Sequence, residues 1–163
     1  MKDRPYLWCE FLWVMFDFAA EKRNEGDHLG RNDKGLVTAD RKIRKDAFYF
    51  YKANWRPDEP LIYITGRRFD PRPSGPQPIK VYSNAESVEL LVNGRSLGRR
   101  QGDTCVFVWP DVVLHDGENV VRAVGTLKNG RRITDTIEWN ASRGATTRLG
   151  VMPTTATIPA TAP

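Results

Sequence analysis

Ser87-Val88-Glu89-Leu90-Leu91-Val92-Asn93-Gly94-Arg95-Ser96-Leu97-Gly98 runs out as a strand, turns at Asn93-Gly94 and starts back. Val88, Leu90 and Val92 fall on one face against Glu89 and Leu91, the period of two that marks a half-buried strand. Asn-Gly between strand-like runs is the strongest short hairpin signal, because both residues tolerate the positive φ that the tight turn requires. The same grammar extends in both directions. Further strands are expected at Leu61–Thr65, Ile79–Ser83, Cys105–Trp109, Asn119–Leu127 and Arg132–Trp139, with Val121, Ala123 and Gly125 interleaving with Arg122, Val124 and Thr126. Pro71–Pro78, Asn84-Ala85, Asp116-Gly117 and Asn129-Gly130 separate them. With Ser87–Val92 and Arg95–Gly98 this makes seven short strands in about eighty residues, which predicts a mainly β chain built on an immunoglobulin-like antiparallel β-sandwich.

Upstream the pattern is of another kind. Leu7 to Phe18 is a dense apolar and aromatic run interrupted by Glu10 and Asp17. It falls short of the ~20 apolar residues that span a bilayer. A near-continuous apolar run predicts a strand covered on both faces, the habit of parallel sheets under helices. Such a strand needs neighbours, and no segment before Leu7 supplies them. A polar loop follows at Glu21–Lys34, then Ile43–Trp55, where Ile43, Ala47, Phe48, Tyr51 and Trp55 recur at helical spacing. Strand, loop and helix form a single β/α unit. The prolines at 57 and 60 mark its end. The expected organisation is therefore 1–57 as the β/α unit, 58–143 as the sandwich, and 144–163, rich in Thr, Ala and Pro, as a linker or tail with no core.

The run Leu-Trp-x-x-Phe-x-Trp-x-Met-Phe-Asp-Phe, then Arg23-Asn24-Glu25-Gly26-Asp27, Gly30-Arg31-Asn32-Asp33-Lys34-Gly35-Leu36-Val37-Thr38, Asp40-Arg41-Lys42 and Lys45 to Trp55 resembles glycoside hydrolase family 2, its β-galactosidases most closely. The resemblance continues through Ser87–Gly98 and covers roughly residues 5 to 140. It implies the carboxyl-terminal portion of a retaining β-glycosidase: the last strand, active-site loop and helix of a catalytic (β/α)8 barrel, followed by a β-sandwich. A closed barrel takes about 250 residues, so 163 residues cannot contain one.

Glycoside hydrolysis by retention needs two carboxyl groups about 5 to 5.5 Å apart. Glu10 and Asp17 lie seven positions apart, about 23 Å along a strand at ~3.3 Å per residue, and an odd separation points them to opposite faces. They cannot be that pair. The resemblance puts the acid/base and nucleophile glutamates on earlier strands outside this chain, so no catalytic residue is assigned and the chain alone is expected to be inactive. Four residues are substrate-binding candidates. Trp13 resembles the family's platform for a sugar ring, whose apolar C–H face gains contact area from a rigid aromatic; the other reading is core. Asp17 either hydrogen-bonds a sugar hydroxyl or anchors the following loop. Val14 departs from the family pattern, which has a polar residue, often Asn, after the Trp. Asn32 and Lys34 form an Asn-x-Lys that in the family's glucuronidases grips the sugar carboxylate, for which an ammonium and an amide donor are suited; the alternative is a turn beside Gly35 with a solvated lysine.

Composition narrows the rest. The net charge of +5 is spread evenly, with 15 basic and 12 acidic side chains in residues 1–75 and 10 and 8 in residues 76–163. No basic stripe with interleaved aromatics marks a nucleic-acid partner, and no membrane or cofactor is expected. His28 and His115 are isolated and Cys9 and Cys105 are expected as free buried thiols, so no metal site is assigned. Glu25, Asp27 and Asp33 read as a solvated acidic loop. The opening residues do not resemble a signal peptide. Two competing functions remain open: a non-catalytic carbohydrate-binding or interaction sandwich presenting Tyr63, Tyr82, Phe107, Trp109 and Trp139, and a β-glucuronidase-like parent. The apolar run Leu7–Phe18, cut from its neighbours, is expected to drive self-association, which Leu12→Lys should relieve.

Overall fold

The computed structural model describes residues 5, 6, 8, 9, 11–23, 29–102 and 104–145. The expected tail beyond 145 and the readings placed on Glu10, Glu25, Asp27 and His28 lie outside them. The chain divides into two compact units, 1–51 and 52–163.

In the first unit, regular structure is sparse. Strand β1 (Phe18–Ala19) pairs antiparallel with β2 (Arg31–Asn32), Phe18 opposite Asn32. Phe16 makes a parallel bridge to Val37, and Val37 an antiparallel bridge to Arg44. Among its described residues, the run expected to be a buried strand is therefore strand only at its end. Trp8, Phe11 and Trp13 are 89%, 85% and 71% exposed. A run of this composition needs cover on two faces, and among the described residues the unit offers Leu36 and Val37 as its buried apolar residues. Helix α1 (Asp46–Trp55) starts three residues later than the periodicity from Ile43 predicts. Thr38 explains the delay: its hydroxyl accepts the Ile43 amide at 3.1 Å, and its own amide donates to the Ile43 carbonyl at 2.9 Å. Both groups of Ile43 are thus taken by a tight loop. Asp46 and Lys52 place opposite charges at the ends that the helix dipole favours. The expected apolar stripe is not buried, since Ala47 and Trp55 are exposed and Ala53 is the buried residue of the helix.

The second unit is a two-sheet sandwich. β3 (Ile62–Ile64), β5 (Gly75–Ser83) and β8 (Val106–Leu114) form one sheet in the order β3-β5-β8. The other runs β4-β10-β9-β6-β7, from β4 (Arg72–Pro73), β10 (Arg132–Ser142), β9 (Gly117–Thr126), β6 (Ser87–Val92) and β7 (Arg95–Gln101). All seven expected strands are present. Asn93 and Gly94 have φ of 51° and 80°, the double positive φ of a type I′ hairpin turn. Periodicity gave no sign of β4, because two residues are too short to show a period; β4 runs parallel to the end of β10, Arg72 opposite Ala141.

The inner faces meet in one core of fifteen buried residues, with Ile64, Val81, Val88, Leu90, Val121 and Ala123 all fully inaccessible. At about 1.5–3 kcal/mol for each fully buried large aliphatic side chain, this core carries the stability of the described residues. Arg72 is 8% exposed, yet its guanidinium lies 3.6 Å from the centre of the Trp139 ring and donates to the Gly66 carbonyl at 2.5 Å and to Gln77 Oε1 at 3.2 Å. A buried cation is tolerable when it is hydrogen-bonded in this way.

Candidate functional site

The first unit is organised by one buried carboxylate. Asp17 is 4% exposed. Its Oδ1 accepts the Gly35 amide at 2.8 Å and the Lys45 ammonium at 2.7 Å, and Lys45 also donates to the Asp33 carbonyl at 2.6 Å. The backbone follows the same path: Asp17 donates to Val37, Val37 to Met15, and Leu36 to Val14. Gly35 is obligatory here. A Cβ at this position would stand 2.2 Å from the Asp17 nitrogen and 2.3 Å from the Phe16 carbonyl carbon, closer than any side chain can approach backbone. The loop is thereby strapped to the end of the apolar run, and Asp17 acts as its anchor, one of the two roles its position allowed.

Asn32 has the turn geometry of the second reading. It is 3% exposed, and its Oδ1 accepts the Lys34 amide at 3.0 Å, a side chain taking over a local backbone donor. The same contact fixes the path of the chain through Lys34, whose side chain is exposed. Trp13 is not core. Its indole meets the Phe18 ring edge-on, centroids 6.1 Å apart and planes at 86°. The Trp13–Val14 peptide is cis. Phe18 lies opposite Asn32 in the β1–β2 ladder, so Trp13, Phe18, Asn32 and Lys34 are linked contact by contact.

Two features escaped the sequence reading. Lys45 is the cation that neutralises Asp17, twenty-eight positions away, and no local pattern announces it. Arg41 stacks its guanidinium 3.8 Å from the Phe16 ring centre and has φ of 67°, which follows from the Thr38 loop. In that loop Asp40 has its pKa lowered, first by the Thr38 hydroxyl and then by the Lys42 amide. Among the described residues no group of three or more His, Cys, Asp or Glu is arranged to hold a metal ion.

The sandwich aromatics are mostly inside. Tyr63, Phe107, Trp109 and Trp139 are 7%, 2%, 3% and 2% exposed. A coplanar stacking platform for sugars on this domain is therefore not formed by them.

Known proteins align with both units. Residues 74–134 match the family model described as a domain of unknown function, DUF4982. A β-glucuronidase of Bacteroides fragilis is 47% identical over 144 residues, an alignment covering 86% of this chain and 20% of that protein. A β-galactosidase of Bacteroides ovatus is 26% identical over 106 residues, 63% of this chain and 12% of that protein. Among solved structures, the FMN-binding β-glucuronidase from Facaelibacterium prausnitzii L2-6 superposes with a TM-score of 0.76 at 42% identity, covering 86% of this chain and 21% of its own. The chain spans between 12% and 20% of the length of the curated relatives it matches.

Proposed function

From the premise that the chain belongs to glycoside hydrolase family 2 and matches about a fifth of such an enzyme, we propose that it serves an O-glycosidase that hydrolyses terminal β-linked sugars, with β-glucuronides as the preferred substrates. The observation that carries this is the connected group of an exposed indole and an anchored Asn-x-Lys turn. Trp13 presents an apolar ring face suited to a pyranose. Lys34, held in place through Asn32 Oδ1, offers an ammonium for a sugar carboxylate. Four of the five curated relatives carry the name β-glucuronidase and one the name β-galactosidase, so a β-galactoside is the second reading.

The chain's part is to hold substrate, not to cleave it. Retaining hydrolysis needs an acid/base and a nucleophile facing each other across the glycosidic bond. Among the described residues Asp17 is the one buried carboxylate, bound through Oδ1 to Lys45 and Gly35, and no second buried carboxyl stands with it to make the pair. The exposed aromatic run is where the remaining strands of a catalytic barrel pack. An apolar surface of this kind marks an interaction face.

The test is turnover of chromogenic β-glucuronide and β-galactoside by the chain alone and by the chain joined with the polypeptide that supplies the rest of the enzyme. Inactivity alone, and activity on the glucuronide when complete, is the expected outcome. In the complete enzyme Lys34→Met should lower kcat/KM for the glucuronide about ten- to a hundredfold, the worth of a hydrogen bond to a charged group, and leave the galactoside rate unchanged. A galactoside preference indifferent to Lys34 would refute the uronide reading, and turnover by the chain alone would refute the division of labour.

A further inference from the structure

Lys34 stands between two peptide groups that the fold holds, and one ammonium serves both. The carbonyl of Asp33 and the amide of Lys34 belong to the same planar peptide unit. Lys45 Nζ donates to the oxygen of that unit at 2.6 Å, and Asn32 Oδ1 accepts its N–H at 3.0 Å. The next unit joins the Lys34 carbonyl to the Gly35 amide. It is held through Gly35, whose N–H donates to Asp17 Oδ1 at 2.8 Å. A residue's backbone has two soft dihedrals, one towards each flanking plane. With both planes gripped, φ and ψ of Lys34 are set, and so is the direction in which its Cα–Cβ bond leaves the chain.

Lys45 is the group common to these contacts. Its Nζ lies 2.7 Å from the Asp17 oxygen that also takes Gly35, and it reaches the Asp33 oxygen with the same ammonium. One cation therefore ties the two planes to each other. It is delivered from fixed backbone: the Lys45 amide donates to the Leu36 carbonyl at 2.8 Å, and the Lys45 carbonyl accepts the Phe48 amide at 2.9 Å where α1 begins. The Lys45 side chain is 15% exposed and turned to the protein's own oxygens, whereas that of Lys34 is open to solvent. A lysine stem is a flexible four-carbon chain, so the volume its ammonium samples depends on where the stem starts. Placement of a binding group within a fraction of an ångström is what its supporting contacts supply.

We propose that Lys45 is a positioning residue for uronide recognition: it aims Lys34 at the sugar carboxylate without touching the sugar, and so contributes to the discrimination between a uronide and a neutral glycoside. This rests on the reading of Lys34 as the grip on that carboxylate.

The experiment is a double-mutant cycle in the complete enzyme, with kcat/KM measured on chromogenic β-glucuronide and β-galactoside for the parent, Lys34→Met, Lys45→Met and the double variant. Lys45→Met should lower the ratio of glucuronide to galactoside kcat/KM about tenfold, because a misaimed Lys34 penalises the substrate that carries the carboxylate, whereas partial unfolding lowers both rates alike. In the Lys34→Met background the same change should lower glucuronide turnover less than about threefold, since a residue that acts through Lys34 has nothing left to aim. Lys45→Met strands the buried Asp17 carboxylate. If that variant does not fold, Lys45→Met combined with Asp17→Asn, which removes the charge and keeps an oxygen for Gly35, is compared with Asp17→Asn and should show the same pattern. An unchanged ratio, or an equal loss from Lys45→Met with and without Lys34, would overturn the positioning role. The two readings separate in one column of the cycle: a Lys34→Met enzyme as active on the glucuronide as the parent refutes the uronide grip itself, while a damaged Lys34→Met enzyme with an additive cycle refutes only the part given to Lys45.

Discussion

Replacing Asp17 by Ala removes the acceptor that straps the loop of the first unit. Two hydrogen bonds vanish at once, from Gly35 at 2.8 Å and from Lys45 at 2.7 Å, and the Lys45 ammonium, whose side chain is 15% exposed, keeps only the Asp33 carbonyl at 2.6 Å among the bonds just described. Breaking a fully buried pair by deleting one partner costs about 3–5 kcal/mol. Partial exposure lets Lys45 recover some hydration, which reduces the expected loss to about 2–3 kcal/mol, or roughly 30- to 160-fold in an opening equilibrium. Hydrogen exchange reads this directly. The amides of Leu36 and Val37, bonded to Val14 at 3.1 Å and Met15 at 2.9 Å, should lose that protection or fall to the unprotected rate. Amides of Val88 and Val121, in the core of the other unit, serve as the internal standard and should not change. Asp17→Asn, which keeps an oxygen for Gly35, should lose only about tenfold. Leu36 and Val37 protection within threefold of the parent in Asp17→Ala would refute the anchoring role.

Gly35→Ala should be as damaging as Asp17→Ala, because the new methyl would meet backbone at 2.2 Å; Leu36 and Val37 exchange measures it, and parent-like protection would count against the close approach. Trp139→Ala empties a site that is 2% exposed, at a cost of about 3–5 kcal/mol, and at ~4 °C or more per kcal/mol the sandwich melting midpoint should fall by at least about 12 °C. Asp40 should titrate below 3.8 because the Thr38 hydroxyl holds its ionised form, and Thr38→Val should bring the midpoint back. Since the folded-state pKa is depressed, the contribution is present above pH ~3.8 and disappears as pH falls through the folded value. The exposed run should make the chain self-associate; Phe11 and Trp13, at 85% and 71% exposure, are better targets than the half-buried Leu12, and light scattering should show a larger relief from Trp13→Lys than from Leu12→Lys.

The sandwich was legible in the sequence because its information is local. Alternation of Val88, Leu90 and Val92 with Glu89 and Leu91 fixes which face is buried, and Asn93-Gly94 fixes the turn through two positive φ angles. Both are properties of neighbours along the chain, so a single sequence contains them. The resemblance to glycoside hydrolases rests likewise on contiguous wording and held in the comparisons.

Tertiary structure decided what depends on distant partners. Composition identified Leu7–Phe18 as a run that needs cover, but only the fold showed that Trp13 stands 71% exposed beside Phe18. Spacing allowed Asp17 either role, and Lys45, twenty-eight residues on, together with a glycine that admits no Cβ, made it an anchor. The helix start moved because a Thr38 hydroxyl reached across a loop to Ile43. At the sandwich edge, regular alternation predicts one inward face for the strand through Trp109; the bulge opposite Gln77 and Ile79 shifts the phase and turns Asp111 out. A period records what each residue prefers, whereas a bulge, an ion pair or a close backbone approach is set by the element it meets.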